Sequence, residues 1–354
     1  MNTLLIRADA TAEIGTGHVM RCLALAQEWK NCGGKVVFLS CCKSDLLCRR
    51  IIDEGIDFIP MENTNTPGRD SEETLRTLKQ LTMHNAQCTP LIAVDGYHFD
   101  AEYQKTIKEA GYKLLWIDDY GHADYYCADF ILNQNIYADA RIYGNRETYS
   151  HLLLGPRYVL LRREFSIWQE WTRNIPEVAS RILVTMGGSD PDNVTLKAIQ
   201  ALQQVNVPGL EARILVGSAN PHLKILNHTV QRSGCDFQIL TNVQNMPEQM
   251  AWADLAISSG GCTCWELAFM GVPSCNIVLA DNQLQVATAL HDLGVTKNLG
   301  WFHDINMKTF VQIIRKLSAS QEQRSVMSRK GRQLIDGNGA QAVATTLRKY
   351  NGWR

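Results

Sequence analysis

The sequence predicts an α/β protein of two Rossmann-like domains that face each other across a cleft. Short apolar runs alternate with amphipathic runs in the first part of the chain, the alternation pauses over 152–179, and it restarts at Arg181. A chain of 354 residues also exceeds the size at which a single core usually stops growing. We therefore expect domains at 1–165 and 180–354, a linker at 166–179, and a last helix that can pack back on the first domain.

Composition and charge exclude several classes of protein. Lys and Arg total 35 against 36 Asp and Glu, so the net charge of −1 creates no global field to attract nucleic acid or an anionic membrane. The eleven cysteines show no C-x-x-C pair and no zinc spacing, which favours reduced thiols. The sequence has no signal-peptide pattern and no apolar run of about 18 residues. We expect a cytoplasmic monomer with no nucleic-acid or membrane partner and no cofactor.

The first half contains five predicted strands and four predicted helices. Apolar runs predict strands at Thr3–Arg7, Lys35–Ser40, Leu91–Asp95, Lys113–Asp119 and Phe130–Leu132. Helical spacing of apolar residues predicts helices at Met20–Cys32, Lys43–Glu54, Ser71–Met83 and Ala101–Ala110. Because strands and helices alternate, we expect a parallel sheet that is covered on both faces.

The second half repeats this alternation after a connector. Leu152–Ala179 shows no regular pattern. Five apolar runs then each end in a turn, and most are followed by a helical pattern: RILVT, EARILV, FQILT, LAISS and SCNIV. Ligands of open α/β sheets bind outside the carboxyl ends of the strands, so the loops after these strands are the candidate sites.

The loop with the richest pattern begins at Ser258. A strand leads into two serines and two glycines, and a helix is predicted to start near Thr263. Glycines let the backbone approach a ligand closely, and the N–H groups at a helix start favour an anion. Because the loop has no lysine, a diphosphate held by backbone amides of Ser259–Gly261 fits better than a metal-bridged triphosphate. Glu266 can accept hydrogen bonds from a ribose, or it is only a favourable acid near a helix start.

Two further loops of the second half carry weaker signals. Gly187 and Gly188 can contact phosphate, or they only permit the turn. Asp190 and Asp192 flank a proline and have no other ligands nearby, so they indicate a helix cap and not a metal site. The end of another strand is expected to carry the side-chain amides of Asn282 and Gln283. These amides can contact sugar hydroxyls or cap the next helix.

The loop after the first strand places a histidine at a predicted helix start. Gly15 and Gly17 bracket a threonine, and His18 follows. The helix dipole favours the neutral imidazole that a general base requires. Arg21 lies three residues on, hence on the same helix face. A structural histidine is the alternative, but a glycine-built loop at a strand end favours a base, and Asp9 ends the same strand.

Two other strands of the first half end in acids, tyrosines and histidines. Such clusters raise the hypothesis of a metal site, but the sequence has no H-x-H and no histidine pair at i,i+4 there. We therefore expect no metal. The residues concerned are Asp95, Tyr97, His98, Asp118, Asp119, Tyr120 and His122.

Residues 245–274, NMPEQMAWADLAISSGGCTCWELAFMGVPS, resemble the donor-nucleotide half of GT-B enzymes. They are similar to the UDP-binding region of the N-acetylglucosaminyl transferase of peptidoglycan synthesis. The resemblance implies a GT-B type of fold. It also implies that Met246 and its neighbours hold uracil, that Ser259–Gly261 hold the diphosphate, and that Glu266 holds the ribose.

The first half narrows this resemblance. RADATAEIGTGHVMRCLALA, DGYHFD, IDDYGHADYYCADFILNQN, GPRYVLLRREF and VTMGGSDPDN are similar, in that order, to the UDP-2,4-diacetamido-2,4,6-trideoxy-β-L-altropyranose hydrolases of pseudaminic acid biosynthesis. The match is most specific in G-x-G-H-x-x-R and extends to about Ala289. It implies a metal-independent, inverting hydrolase whose partners are a UDP-sugar and water. His18 is then the base, and Tyr97 and Arg162 have auxiliary roles.

The resemblance and the loop patterns together define the predicted site. His18 is the predicted catalytic residue. The residues predicted to contact substrate or UDP are Gly15, Gly17, Arg21, Tyr97, Arg162, Gly187, Gly188, Met246, Ser259, Gly260, Gly261, Glu266, Asn282 and Gln283. Two alternatives remain. A GT-B glycosyltransferase with a UDP-amino-sugar donor requires an added acceptor, and a sensor of nucleotide sugars binds UDP without turnover.

Overall fold

The computed structural model describes residues 2–11, 14–62, 68–84 and 89–350. The chain divides into two compact units. The first unit comprises the residues up to Arg163 together with those from Asn338 onward, and the second unit is Glu164–Gly337. The segment 166–179, predicted as a linker, therefore lies in the second unit, and the end of the predicted second domain lies in the first unit.

The first unit is built on one parallel sheet of seven strands. They are β1 (Thr3–Ala8), β2 (Lys35–Ser40), β3 (Asp57–Pro60), β4 (Leu91–Asp95), β5 (Lys113–Ile117), β6 (Phe130–Asn133) and β7 (His151–Leu154). Their order across the sheet is β3-β2-β1-β4-β5-β6-β7. The direction of winding therefore reverses between β1 and β4, where Ala8 pairs with Asp95. In open α/β sheets such a switch point is where ligands bind.

Helices cover this sheet, and short 3₁₀ turns follow the later strands. The helices are α1 (Gly17–Asn31), α2 (Asp45–Asp53), α3 (Arg69–His84) and α4 (Ala101–Glu109), and the 3₁₀ turns are Ala140–Tyr143 and Pro156–Tyr158. The apolar face of α1 packs against β1, because Val19, Leu23 and Ala26 lie at helical spacing and are fully buried. The fully buried β1 is covered on both faces, as parallel strands require.

The sequence patterns missed both edge strands of this sheet. β3 and β7 have four residues each, too few for a clear apolar period. β3 ends at Pro60, which has no N–H to donate to a ladder and is tolerated at an edge. β7 lies inside the segment that was predicted to be an irregular connector. Edge strands are short by design, so their signal in the sequence is weak.

The second unit has a six-stranded parallel sheet with the same winding. Its strands are β8 (Arg181–Thr185), β9 (Glu211–Val216), β10 (Asp236–Thr241), β11 (Leu255–Ser259), β12 (Ser274–Val278) and β13 (Thr296–Trp301), in the order β10-β9-β8-β11-β12-β13. The switch point lies between β8 and β11, where Thr185 pairs with Ser258. The edge strand β13 was not predicted, because polar residues and Gly300 interrupt its apolar run.

Seven helices surround the second sheet. They are α5 (Val194–Leu202), α6 (Leu223–Arg232), α7 (Met246–Trp252), α8 (Thr263–Phe269), α9 (Asp281–Asp292), α10 (Met307–Ala319) and α11 (Gln321–Leu334), and the 3₁₀ turn Arg163–Trp168 precedes them. The amphipathic α10 buries Phe310 and Ile314 in the core that the β8 and β9 side chains form. The predicted helix start near Thr263 is confirmed.

The last helix, α12 (Gly339–Tyr350), belongs to the first unit. Its residues Val343 and Leu347 are fully buried in the core that also contains α1. The start of the helix packs closely against the segment at Val159, since a Cβ on Gly339 would lie 2.2 Å from the carbonyl oxygen of Val159. The sequence therefore identified this helix but did not show how closely it packs against the segment at Tyr158 and Val159.

No helix in the described parts of the chain combines the length and the apolar character needed to cross a membrane.

Candidate functional site

The predicted base lies at the switch point of the first sheet. The loop after β1 turns at Gly15, whose φ of 78° suits glycine and whose N–H donates to the Thr11 carbonyl over 2.9 Å. The helix α1 then begins at Gly17, so His18 lies in its first turn. The side chain of His18 is buried, with 7% of the residue exposed. This local geometry is the one that the glycine spacing predicts.

The structure places a carboxylate against this histidine. Asp95 ends β4, the neighbour of β1, and is fully buried. Its Oδ1 lies 2.6 Å from Nδ1 of His18. A buried carboxylate at this distance holds the proton of the neutral ring on Nδ1, so the lone pair of the neutral imidazole is on Nε2. The pair has the arrangement of an oriented general base.

Arg21 holds the same carboxylate from one helical turn further on. Its Nε lies 2.6 Å from Oδ2 of Asp95, and its Nη2 lies 2.7 Å from Oδ1. Burial by itself would raise the pKa of Asp95, but the charges and hydrogen bonds of Arg21 and His18 outweigh it and hold that pKa below its ordinary value. Asp95 is therefore an anion whose position two partners fix.

A second buried carboxylate, that of Asp119, extends the cluster. Nη1 of Arg21 donates to its Oδ1 over 2.7 Å, and Nδ2 of Asn135 donates to the same atom over 2.8 Å. The hydroxyl of Tyr97 donates to its Oδ2. The Tyr97 ring in turn stands edge-on to His18, with ring centroids 4.7 Å apart. Arg21 and Tyr97, whose contact with substrate stays a prediction, therefore help to position His18.

Three residues of this cluster are absent from the predicted site. The sequence pattern indicates Asp95 and Asp119 only as possible metal ligands, and it gives no signal at Asn135. The strand order brings the two acids together, because Asp95 ends β4 and Asp119 lies two residues after β5, and β4 stands between β1 and β5 in the sheet. The sequence alone does not give that order.

Asp9 lies in a separate ionic group. Its carboxylate accepts hydrogen bonds from the guanidinium of Arg7, which also binds Asp70, and Nε2 of His98 lies 3.2 Å from its Oδ2. The oxygens and nitrogen of Asp9, Asp70 and His98 are close enough to surround a cation. The fully buried Arg7 already supplies the positive charge between the two carboxylates, which opposes a metal there.

Arg162 lies in the first unit, in the segment that follows β7. It is buried, and the segment is fixed by hydrogen bonds from its neighbours, since the Leu160 N–H donates to Gln134 and the Arg163 N–H donates to Gln27. A role for its side chain in binding stays a prediction.

The glycine loops of the second unit meet at the switch point of its sheet. Gly187 follows β8 with a φ of 87°, and a Cβ placed on it would meet Oγ of Ser259 at 4.0 Å. Gly188 packs closely against Gly217, because a Cβ on Gly217 would lie 2.2 Å from the carbonyl oxygen of Gly188. Gly217 is therefore a further glycine that this loop requires, and it lies outside the predicted site.

Gln283 fixes the second of these loops. Its Oε1 accepts hydrogen bonds from the N–H groups of Gly260 at 3.1 Å and Leu279 at 3.0 Å. The Gly260 N–H also lies 3.0 Å from the carbonyl oxygen of Ile277, so this amide is engaged within the protein. Nε2 of Gln283 lies beside Gly261, 3.8 Å from the position of a Cβ there. Hydrogen bonds within the protein therefore hold the shape of this loop.

The remaining predicted residues of the second unit lie at helix starts. Glu266 is buried in the first turns of α8, and Met246 is the first residue of α7. Asn282 and Gln283 lie in the first turn of α9, and not at the end of a strand as predicted, because α9 begins directly at Asp281. The cap predicted for Asp190 is confirmed, since its carboxylate accepts from the backbone of α5.

Comparisons with known proteins agree with this architecture. Residues 181–343 match the family model of the glycosyltransferase family 28 C-terminal domain. The chain is 28% identical over 289 residues to an uncharacterized protein of Methanocaldococcus jannaschii, MJ1062, covering 80% of this chain and 56% of that protein. It therefore spans little more than half of that relative.

Two bacterial relatives have descriptions that concern polysaccharides and sugar nucleotides. The spore coat polysaccharide biosynthesis protein SpsG of Bacillus subtilis is 27% identical over 253 residues, covering 70% of this chain and 73% of that protein. The UDP-2,4-diacetamido-2,4,6-trideoxy-beta-L-altropyranose hydrolase of Campylobacter jejuni is 26% identical over 293 residues, covering 82% of this chain and 97% of that protein.

Solved structures show the fold. MurG of Acinetobacter baumannii superimposes with a TM-score of 0.66 at 18% identity, covering 99% of this chain and 100% of that one. The MnaA–UDP structure from Staphylococcus aureus gives the same TM-score at 10% identity, covering 100% of this chain and 98% of that one. The protein thus has a GT-B-like α/β fold with two Rossmann-like, parallel-sheet domains.

Proposed function

We propose that this protein is an inverting, metal-independent hydrolase that releases UDP from UDP-2,4-diacetamido-2,4,6-trideoxy-β-L-altropyranose. The observation that carries the proposal is the pairing of His18 with the buried Asp95 at the switch point of the first sheet. The similarity to the Campylobacter jejuni hydrolase supports the choice of substrate. The resemblance of the motifs further suggests a place in pseudaminic acid biosynthesis and flagellin glycosylation.

The geometry of the first unit suits the activation of water. Asp95 holds the proton of the neutral ring on Nδ1 of His18, so Nε2 can accept a proton from water. The resulting hydroxide attacks the anomeric carbon on the face opposite UDP, and the bond from that carbon to the phosphate oxygen breaks with inversion. UDP leaves with the bonding electrons, and His18 carries the proton as an imidazolium beside the anionic Asp95.

The second unit is the part that we propose for binding UDP. The match of residues 181–343 to a glycosyltransferase domain supports this assignment. The loops around Gly187 and Gly261 would take the diphosphate, the buried Glu266 the ribose and the backbone near Met246 the base. UDP is a good leaving group, so hydrogen bonds from backbone amides are sufficient to stabilise the charge that develops on it.

A glycosyltransferase with a UDP-amino-sugar donor is the second candidate. The family model that matches 181–343 supports it, because that model describes the C-terminal domain of glycosyltransferases. The two functions differ in what takes the sugar, since a hydrolase transfers it to water and a transferase to an organic acceptor. UDP release that requires an added acceptor would favour the transferase.

The test is the release of UDP from the altropyranose nucleotide with no acceptor present, with UDP monitored by phosphorus NMR and the free sugar by proton NMR. The wild-type protein should release UDP and free sugar, and the first sugar product should have the inverted anomeric configuration. His18→Ala should lower kcat by roughly 10²–10⁴-fold while UDP affinity stays unchanged. The exposed His303 of the second unit provides a matched control, His303→Ala, that should keep full activity. No release above the blank by the wild type would refute the hydrolase.

A further inference from the structure

Aromatic rings form a continuous cluster that begins at the candidate base. Tyr97 stands edge-on to His18, with centroids 4.7 Å apart. The ring of Tyr120 follows at 5.2 Å from that of Tyr97, and the ring of His122 lies 5.7 Å from Tyr97 and 5.8 Å from Tyr120. These residues come from the loops after β4 and β5. The cluster therefore reaches from His18 to the surface at the carboxyl edge of the sheet.

Tyr120 is the exposed member of this cluster, and its backbone is fixed. The residue is 43% exposed. The fully buried Asp118 accepts hydrogen bonds at Oδ1 from the N–H groups of Tyr120 and Gly121, both at 2.9 Å, and at Oδ2 from the Tyr126 hydroxyl at 2.6 Å. A partly exposed ring thus stands on a loop whose backbone a buried carboxylate organises. Such a ring offers contact area with little loss of conformational freedom on binding.

Tyr97 presents its ring to the same space. Its hydroxyl donates to Asp119, which Arg21 and Asn135 also bind. That anchoring fixes the ring between His18 and Tyr120. Tyr97 and Tyr120, whose ring centroids lie 5.2 Å apart, therefore form an aromatic surface beside His18, which we call the tyrosine surface.

A hexose has polar edges and apolar faces made of C–H groups, and its apolar area grows when C6 is a methyl group. Aromatic rings contact such faces without the cost of burying a hydroxyl. We infer that the tyrosine surface receives the apolar face of the sugar, with Tyr120 as a residue that selects 6-deoxy sugars. This inference rests on the proposed function, which brings a sugar nucleotide to His18, and adds a specificity residue to it.

The neighbouring Tyr125 provides a matched control. It lies five residues after Tyr120 and is 36% exposed. Its hydroxyl donates to Glu147 over 2.7 Å. Replacing it removes an exposed ring of the same size from the same unit and leaves the tyrosine surface intact.

The experiment measures binding by calorimetry in a His18→Asn background, so that turnover does not interfere. The ligands are UDP, UDP-N-acetylglucosamine and its 6-deoxy analogue. Tyr120→Ala should weaken binding of the 6-deoxy nucleotide roughly threefold to tenfold, weaken the 6-hydroxyl nucleotide less, and leave UDP unchanged. Tyr120→Phe keeps the ring and should bind like the parent, as should Tyr125→Ala.

The outcomes separate this inference from the proposed function. If UDP binds normally and Tyr120→Ala binds every ligand like the parent, the inference is wrong while the proposed function stands. An equal loss for UDP and for both sugar nucleotides would also overturn it, because the effect would not arise at the sugar. If the parent binds neither UDP nor a sugar nucleotide, the proposed function fails first and the inference with it.

Discussion

The sheets of the two units wind in the same way, but the loops at their switch points differ in composition. In the first unit, the switch point between β1 and β4 holds an ionic group of His18, Arg21 and Asp95. In the second unit, the switch point between β8 and β11 holds glycine loops, and segments 186–189 and 259–263 contain no charged residue. The loops of the first edge therefore carry buried charges, and those of the second are built from small, uncharged residues.

This difference shows that the sheet topology determines where the loops meet and that the loop residues determine the chemistry available there. The carboxyl ends of parallel strands bring their loops together whatever those loops contain. In the first unit the loops supply buried charges that must neutralise one another. In the second they supply small residues, which leave the backbone open to close approach. The comparison predicts different sensitivities to mutation.

The largest effect is expected from Asp95→Asn. Asparagine keeps the shape but removes the charge that orients His18 and compensates Arg21, so kcat should fall by roughly 10²–10⁴-fold while UDP affinity stays unchanged. Asp129 is the control, because it is also buried and binds Lys108 and Lys113. Steady-state kinetics of Asp129→Asn should show the wild-type kcat for the folded fraction, and equal losses in both variants would contradict the assignment.

Acid should weaken the first unit through the same charges. Arg21 and its neighbours hold the pKa values of Asp95 and Asp119 below their ordinary value despite burial. Near and below an ordinary pKa of about 4 the unfolded chain therefore binds more protons than the native one, so the free energy of unfolding falls as the pH falls. A carboxylate of this kind contributes roughly 2 kcal/mol. Urea titrations at pH 5, 4 and 3 should show this loss in the wild type and less of it in Asp95→Asn.

In the second unit Gln283→Ala should reduce UDP affinity without touching the base. The variant removes the oxygen that accepts hydrogen bonds from the N–H groups of Gly260 and Leu279. Its loss should lower the free energy of unfolding by about 1 kcal/mol and loosen the glycine loop. Calorimetry should show UDP binding weakened about fivefold. Gln285→Ala, at an exposed position of the same helix, should bind UDP like the wild type. Equal affinities in the two variants would show that the amide of Gln283 has no part in forming the site.

The smallest effect is expected at Gly15. The Cβ of an alanine there meets no neighbouring atom, but a φ of 78° is strained for a residue with a Cβ. The substitution should therefore lower the free energy of unfolding by about 1 kcal/mol. Gly111→Ala is the matched control, with a φ of 85° and equally open surroundings. Thermal unfolding should show similar losses for both variants, and only Gly15→Ala should lower kcat as well. An unchanged kcat would mean that the loop before His18 tolerates distortion.

Much of the fold could be predicted because its signals are local. The central strands β1, β2 and β4 were found almost to the residue, since fully buried parallel strands are continuous apolar runs. The edge strands β3 and β7 were missed because four residues at an edge need little apolar surface. The helical pattern also identified α12 and allowed it to pack back on the first domain, and the structure places it in the first unit.

The site divides in the same way. The sequence by itself determined that His18 would follow a glycine turn at a helix start and that glycines would cluster at Ser259–Gly261, because both depend on neighbours in the chain. Only the tertiary structure decided that Asp95, 77 residues from His18, would orient it, and that Gln283 would fix Gly260 from another helix. These contacts depend on which strands are neighbours, and that order is set by long-range packing of the sheet.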